Sequence, residues 1–463
     1  MPKLNFKKLN IIDAGKIQKL MTAQTSPEEI KDILAKGEGM KGLDLSDCAK
    51  LLAIEDQELL ARLWQSAKKV KLAIYGPRLV LFAPLYCSNF CINDCEYCAF
   101  HVRNPARRKK LSLAEIKEQV EILEAMGHKR LLLEFGEHPK ENTIDYAIEV
   151  IKTIYATKNG RGEIRRVNVN LAATTVENYR RLKEAGIGTY QLFQETYHRP
   201  TYKKMHHGPK ADYERQLKAV FNAFTAGIDD LGIGALFGLY DYRFEVLSLV
   251  RHAKFMDKVL GVGPHTISVP RFQSAHSVNL ALKYRVSDRD FLKLIAVLRL
   301  AVPYTGMIIS TRERPDIRRQ AFAIGVSQAS AASKTEPGGY KKAGRQAVEA
   351  QFNLNDHRSL DEVVRDICRL GYLPSFCTAC YRLGRTGDRF MRLAKSGKIQ
   401  ETCQPNALVT FKEYLEDYAS AETRRIGEKI ISDHATKIEN LKIRQKLESD
   451  LKKVEQGKRD LYI

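Results

Sequence analysis

Leu79-Val80-Leu81-Phe82-Ala83-Pro84-Leu85-Tyr86 is a short apolar run of the length of a buried strand, and it leads directly into Cys87-Ser88-Asn89-Phe90-Cys91-Ile92-Asn93-Asp94-Cys95-Glu96-Tyr97-Cys98. Comparable runs recur at 131–135, 165–170, 188–194, 230–238, 264–269, 305–310 and 325–330. Helical stretches separate most of them. Ser112-Leu113-Ala114-Glu115 opens one as a capping box and Gly127 closes it; others lie near 177–185, 212–226, 243–259 and 288–301. Strand and helix alternating eight times predict an α/β fold of parallel strands joined by crossovers, hence a closed (β/α)8 TIM barrel. An open doubly wound sheet is the alternative. In a barrel, reactive groups collect where strands end. The cysteine loop follows the first strand, Gly136-Glu137 the second, and Glu195-Thr196-Tyr197-His198 the fourth; His265 lies in the sixth, and Ser310-Thr311-Arg312-Glu313 ends the seventh. All of these are expected at one rim.

Outside the barrel the pattern is helical. Residues 1–75 read as a helical N-terminal extension, with Ser26-Pro27-Glu28-Glu29 as a helix start and 56–69 amphipathic. Residues 76–340 hold the barrel. After about Lys341 the strand pattern stops, and 341–463 reads as a helical C-terminal domain ending in one or two charged helices over Ala421–Ile463.

The chain has 463 residues, 44% hydrophobic and 28% charged, which excludes a disordered, collagenous or small disulfide-bonded class. No run of 18 apolar residues is present, so no spanning helix is expected. The start, Met1 to Lys8, lacks a signal-peptide apolar stretch, and a cytoplasmic location is expected. With 76 Lys and Arg against 55 Asp and Glu the net charge is +21. There is no RNP motif, zinc-finger spacing or basic tail, so neither nucleic acid nor membrane is expected as a partner. The densest basic run, Arg107-Arg108-Lys109-Lys110, reads as a solvated face.

Nine cysteines are present, and most are clustered. Clustered cysteines in a cytosolic chain point to metal rather than disulfides. Cys91, Cys95 and Cys98 form a C-x3-C-x2-C loop. Three thiolates suit an iron–sulfur cluster and leave one iron open to a substrate or cofactor. A structural zinc site would need a fourth ligand, for which His101 is a contrived choice; Cys87 could also complete a four-cysteine set. Cys377, Cys380 and the distant Cys403 form a second set, better suited to a second cluster than to a zinc ribbon, which needs two close pairs. Cys48 and Cys368 read as buried structural thiols.

The C-x3-C-x2-C loop after the first strand resembles the radical S-adenosylmethionine (SAM) superfamily. That resemblance implies a [4Fe-4S] cluster on Cys91, Cys95 and Cys98 whose open iron chelates SAM and generates a 5′-deoxyadenosyl radical. It implies that Tyr97 contacts adenine and that Gly136-Glu137 meets the SAM amino group. Longer segments resemble the tyrosine lyases within that superfamily: Phe193-Gln194-Glu195-Thr196-Tyr197-His198-Arg199-Pro200, Gly263-Pro264-His265-Thr266, Ser310-Thr311-Arg312-Glu313 and Pro337-Gly338-Gly339-Tyr340. Cys377-Thr378-Ala379-Cys380-Tyr381-Arg382 is similar to the HydG-type [FeFe]-hydrogenase maturase branch. Two departures are Cys87, where a non-cysteine is expected, and His138 after Glu137, where an acidic residue is expected. The resemblance implies cleavage of L-tyrosine at Cα–Cβ to p-cresol and dehydroglycine. It further implies conversion of that fragment to CO and cyanide on an auxiliary [4Fe-4S] cluster carrying a fifth iron held by His265, giving an Fe(CO)(CN) unit with cysteine for the hydrogenase H-cluster. Implied partners are a flavodoxin- or ferredoxin-type donor and other maturation proteins, including a scaffold GTPase. Arg312 with Ser310 would bind the tyrosine carboxylate, Glu195 would serve SAM, and Tyr197 and His198 would line the pocket. An internal channel between the two sites is expected. The alternative is a lyase supplying dehydroglycine for thiamine thiazole synthesis, which lacks the second cysteine set.

Overall fold

The computed structural model describes residues 10–278, 280–342 and 348–463; the opening Met1–Lys8 lies outside them. Eight strands run parallel: β1 (Arg78–Ser88), β2 (Arg130–Phe135), β3 (Arg166–Asn170), β4 (Tyr190–Gln191), β5 (Leu231–Gly234), β6 (Thr266–Ser268), β7 (Gly306–Ile309) and β8 (Gln328–Ser330). Neighbours pair in chain order, and β8 returns to β1, with Val80 opposite Gln328 and Phe82 opposite Ser330. The sheet is therefore a closed barrel, and the open-sheet alternative is excluded. β1 is buried nearly throughout, because a parallel strand has helices on one side and the barrel lumen on the other.

Helices cover the outside, among them Leu113–Ala125, Tyr213–Thr225, Tyr242–Leu260 and Asp288–Ala301. The start at Ser112 is a full capping box: its hydroxyl accepts from the Glu115 N–H at 3.2 Å, and the Glu115 carboxylate accepts from the Ser112 N–H at 2.9 Å. The N-terminal helix Gln57–Tyr75 packs against Asp288–Ala301. Among the described residues, no helix is long and apolar enough to cross a membrane.

Two features depart from expectation. The region after 341 is not helical throughout: β9 (Leu373–Ser375) pairs parallel with Arg78–Val80 of β1. β2 pairs with β1 only from Ala83 onward, so the lower part of that edge is left for β9. A three-residue strand with proline at its centre carries almost no sequence signal. In addition, β6 begins at Thr266, so His265 precedes its strand and sits at the N-terminal mouth of the barrel. The expectation of one shared rim fails for His265, and the barrel is furnished at both ends.

Candidate functional site

The cysteine loop leaves the C-terminal end of β1 and is held from three sides. The Asp94 and Glu96 N–H groups donate to the His207 and Met205 carbonyls at 3.0 and 3.1 Å. The Ile92 N–H donates to the Glu137 carbonyl at 2.8 Å. From inside, the Arg108 guanidinium donates to the carbonyls of Asn89, Phe100, His101 and Asn104. Arg108 is thus a clamp on this loop, a correction to the reading of its basic run as a solvated face. Burial lowers its pKa, but four carbonyls satisfy the charge.

Cys91, Cys95 and Cys98 line one cavity of about 690 Å³ together with Tyr97, Gly136, Glu137, Glu195 and Lys210. All three are free thiols. Cys87 is buried in the main core and is absent from that lining, so only three cysteines face it. Amides point at two of the sulfurs: Asn93 Nδ2 lies 3.8 Å from Cys91 Sγ and Gln351 Nε2 3.6 Å from Cys98 Sγ. Such donors favour thiolate and tune a cluster. Burial pushes the Cys98 thiol up to about 11 and raises Cys95 as well, a cost that binding to iron removes. Among the described residues no three His, Cys, Asp or Glu side chains converge tightly enough for a single metal ion. A cluster is wider than an ion, and three separated thiols around one cavity suit it. The donor set fits a [4Fe-4S] cluster.

Gly136 shows how closely the second loop approaches. A Cβ there would collide with the Phe90 carbonyl and stand 3.1 Å from Cys91 Cβ. Gly136→Ala is expected to give a folded protein that loses the iron of this site and its visible absorbance, with no deoxyadenosine formed from SAM. Retention of full iron content would show the approach to be dispensable. Beside it, the Glu137 carboxylate is bound by Arg215 at 2.6 Å and Asn93 Nδ2 at 2.7 Å.

This cavity opens into the barrel lumen. A second hollow of about 920 Å³ shares Tyr97, Cys98, Glu134, Glu195 and Gln351 with it, and adds Ser310, Arg312, Phe82, Ile308 and Phe352. Arg312 is buried, which lowers its pKa, and its guanidinium lies over the Phe352 ring at 3.2 Å from the centroid. Glu313 does not pair with it; Glu313 is engaged by Arg271. Among the described residues Arg312 forms no ion pair; Glu134 and Glu195 line the same hollow without bonding to its guanidinium. Glu195 is in the left-handed region at φ 65° and is anchored by Lys210 Nζ at 2.8 Å. Burial opposes the Lys210 charge, but the Glu195 carboxylate outweighs it and raises the pKa.

Tyr197 and His198 stand apart from this group. The left-handed turn at Glu195 breaks strand alternation, and both side chains leave the lumen. The Tyr197 hydroxyl hydrogen bonds with His252 Nδ1 at 2.9 Å in the outer helix layer. His198 stacks on Tyr240 with centroids 3.7 Å apart. Neither lines the cavities. Sequence reasoning missed Glu134, Lys210, Gln351 and Arg108. Glu134 is lifted to about 8 by burial, against the pull of Arg312, and is protonated at neutral pH.

At the opposite mouth, Cys377, Cys380, Cys403 and His265 line one cavity of about 600 Å³ with Arg78 and Arg130. Arg130 Nη2 donates to the Cys377 carbonyl at 2.8 Å, and the Ala379 N–H donates to Cys377 Sγ at 3.4 Å. The Cys380 thiol donates to Cys403, which with Arg78 and Arg385 nearby favours thiolate at Cys403. Burial lowers the His265 pKa to about 4, keeping the ring neutral, and its Nδ1 lies 3.6 Å from Asp230 Oδ2. A neutral imidazole oriented by a carboxylate is the usual arrangement of a metal-ligating histidine. Three thiols and one imidazole therefore fit an iron–sulfur cluster. The two cavities share no lining residue, but successive lumen positions line them: Val80 and Phe82, Arg130 and Leu132, Gln328 and Ser330. One layer of side chains separates them, so the expected open channel is not formed by these two cavities.

The radical SAM superfamily profile matches residues 85–252, and the Biotin and Thiamin Synthesis associated domain matches 268–373. The 2-iminoacetate synthase of Salmonella typhimurium is 30% identical over 334 residues, 72% of this chain and 86% of that protein. The crystal structure of HydG, a maturase of the [FeFe]-hydrogenase, superposes with a TM-score of 0.95 at 50% identity, covering 98% of this chain and 100% of that one. The HydG of Carboxydothermus hydrogenoformans gives 0.81 at 42% identity, covering 95% and 96%. The likeness spans the second cysteine set as well as the first, and the chain belongs to the radical SAM tyrosine lyases of the HydG type.

Proposed function

We propose that this chain cleaves L-tyrosine at Cα–Cβ in the upper lumen and that the two-carbon fragment becomes CO and cyanide at the lower cavity, on an auxiliary cluster with a fifth iron. The observation that carries the reading is the pair of cysteine-lined cavities at opposite mouths of one barrel. Cys91, Cys95 and Cys98 would hold the first [4Fe-4S] cluster, and Tyr97, Gly136 and Glu137 line the space for SAM. When bound, these groups supply the hydrogen-abstracting radical. The protein's part is position and exclusion of water. Arg312, spread over Phe352, offers a planar fork to the tyrosine carboxylate, with Ser310 beside it. Glu195 is held by Lys210, so it does not compete for Arg312. Glu134 carries a proton into the same lumen. Phe82, Leu132 and Ile308 form the dry floor. At the lower mouth, Cys377, Cys380 and Cys403 would hold the second cluster, and His265, whose Nδ1 faces Asp230 at 3.6 Å, would offer Nε2 to the further iron.

The test is anaerobic. Reconstituted protein is given SAM, dithionite and tyrosine, and p-cresol and CO are measured. About eight or more irons per chain are expected. Cys377→Ser with Cys380→Ser should preserve p-cresol and abolish CO; CO surviving that change would overturn the lower-site assignment. The thiamine-related alternative predicts only about four irons and no CO from the unaltered chain.

A further inference from the structure

Part of the chain's positive charge lies around one opening. Residues 91–110 and 198–210 carry nine Lys and Arg against two acidic side chains, a net of +7, one third of the +21 in 33 of 463 residues. The fold lays these segments side by side, through the hydrogen bonds from Asp94 and Glu96 to His207 and Met205 and from the Lys210 N–H to Asn93 Oδ1 at 2.8 Å. The collar they form encloses the outer face of the cysteine loop. Much of this charge is engaged: Arg108 clamps the loop, Lys109, Lys110, Arg199 and Lys210 pair with Glu115, Glu141, Glu214 and Glu195, and Arg103 pairs with Asp94 and Glu96. Arg107, Lys203 and Lys204 are exposed and form no ion pair among the described residues. On the same collar, Val102 is a large apolar residue left 53% exposed.

Val102 is also the surface end of a short bonded route to the metal ligands. Its N–H donates to the Asn93 carbonyl at 2.9 Å, and the Asn93 side-chain amide lies 3.8 Å from Cys91 Sγ. An exposed apolar side chain on a surface that also carries unpaired cations is the form of a transient docking site steered by charge. Opposite-sign steering selects an acidic partner, and the position over Cys91 selects one that carries an electron.

We propose that Val102, Arg107, Lys203 and Lys204 form the docking surface for a small acidic one-electron carrier protein. The reduced carrier docks with its redox centre facing Val102 and is oxidised by one electron, which would reduce the cluster held by Cys91, Cys95 and Cys98 by one electron; no bond is made or broken at the surface. The inference rests on the radical SAM reading and extends it to the identity of the electron's entrance.

The probe is a reduced acidic ferredoxin, with dithionite as the small-molecule control. Arg107→Glu, Lys203→Glu and Lys204→Glu are combined in one variant. Its affinity for labelled ferredoxin, measured by anisotropy at low salt, is expected to fall at least about tenfold and to lose most of its salt dependence. Ferredoxin-driven p-cresol formation should fall in parallel, while dithionite-driven formation and iron content stay unchanged. Val102→Asp alone should weaken ferredoxin binding with the same dithionite control. Unaltered ferredoxin affinity in both variants would overturn the surface assignment. Equal loss with dithionite and ferredoxin would overturn it too, by showing damage to the site itself. If the unaltered chain forms no p-cresol with dithionite, it is the functional reading that fails, and ferredoxin affinity still reports on the surface.

Discussion

Arg312→Met should reduce kcat/KM for tyrosine by about 10²–10³-fold while SAM cleavage to deoxyadenosine continues, largely uncoupled from p-cresol formation. The guanidinium is buried over Phe352 and forms no ion pair among the described residues. A desolvated cation costs several kcal/mol unless a ligand meets it, and truncating one partner of a buried charge pair costs about 2–5 kcal/mol. Methionine fills the volume and keeps the ring contact, so the loss reads on charge rather than packing. Arg312→Lys should recover only part of the activity, because a point charge cannot form two parallel hydrogen bonds. If tyrosine saturation is unchanged in Arg312→Met, the carboxylate lies elsewhere.

Asp230→Ala should sever the lower cavity from the barrel. Asp230 is 1% exposed and is shared by three elements. It pairs with Arg166 at 3.3 Å, accepts from Thr189 Oγ1 at 2.9 Å and from the Tyr381 hydroxyl, and faces His265 Nδ1. Removing it strands the Arg166 guanidinium in the interior, a loss of about 3–5 kcal/mol that a melting curve will show. It also frees the imidazole and Tyr381 beside Cys380. CO formed per p-cresol is expected to drop about 10–100-fold, the usual effect of losing a partner that orients a ligand. Asp230→Asn preserves shape and should restore much of the stability but not the CO yield. An unchanged ratio of CO to p-cresol in both variants would falsify the role given to this carboxylate.

Most of the barrel was legible because its strands are short, buried and largely apolar, although polar side chains such as Asn170, Gln191 and Gln328 reach the lumen. Runs such as 79–86 and 131–135 interrupt helical periodicity so sharply that six strands fall within the expected ranges, while β2 begins one residue early and β1 overruns its range at both ends. β9 was not legible, because its pairing is decided by an edge on β1 nearly 300 residues earlier. The cysteines announce themselves by spacing. Their supports do not: Glu134, Asp230 and Lys210 look like ordinary polar residues, and only closure of the barrel turns them inward. Tyr197 and His198 were misplaced for a local reason. Two-residue alternation carried from β4 would aim Tyr197 into the lumen with Glu195, but the left-handed backbone at Glu195 reverses the parity. His265 was read as lying within its strand; that strand begins one residue later, which moves the ring to the other mouth.

β9 also has a consequence for biogenesis. Its partner segment on β1 emerges from the ribosome about 295 residues earlier, so at typical translation speeds that edge waits roughly 15–60 s for its complement. During that interval the floor of the nascent cylinder is unsealed, while the Cys91 loop has long been synthesised. Metal delivery to the lower compartment is consequently a late event, after the tail has come home, whereas the cysteine loop of the upper one and its Gly136 neighbour are made well before it.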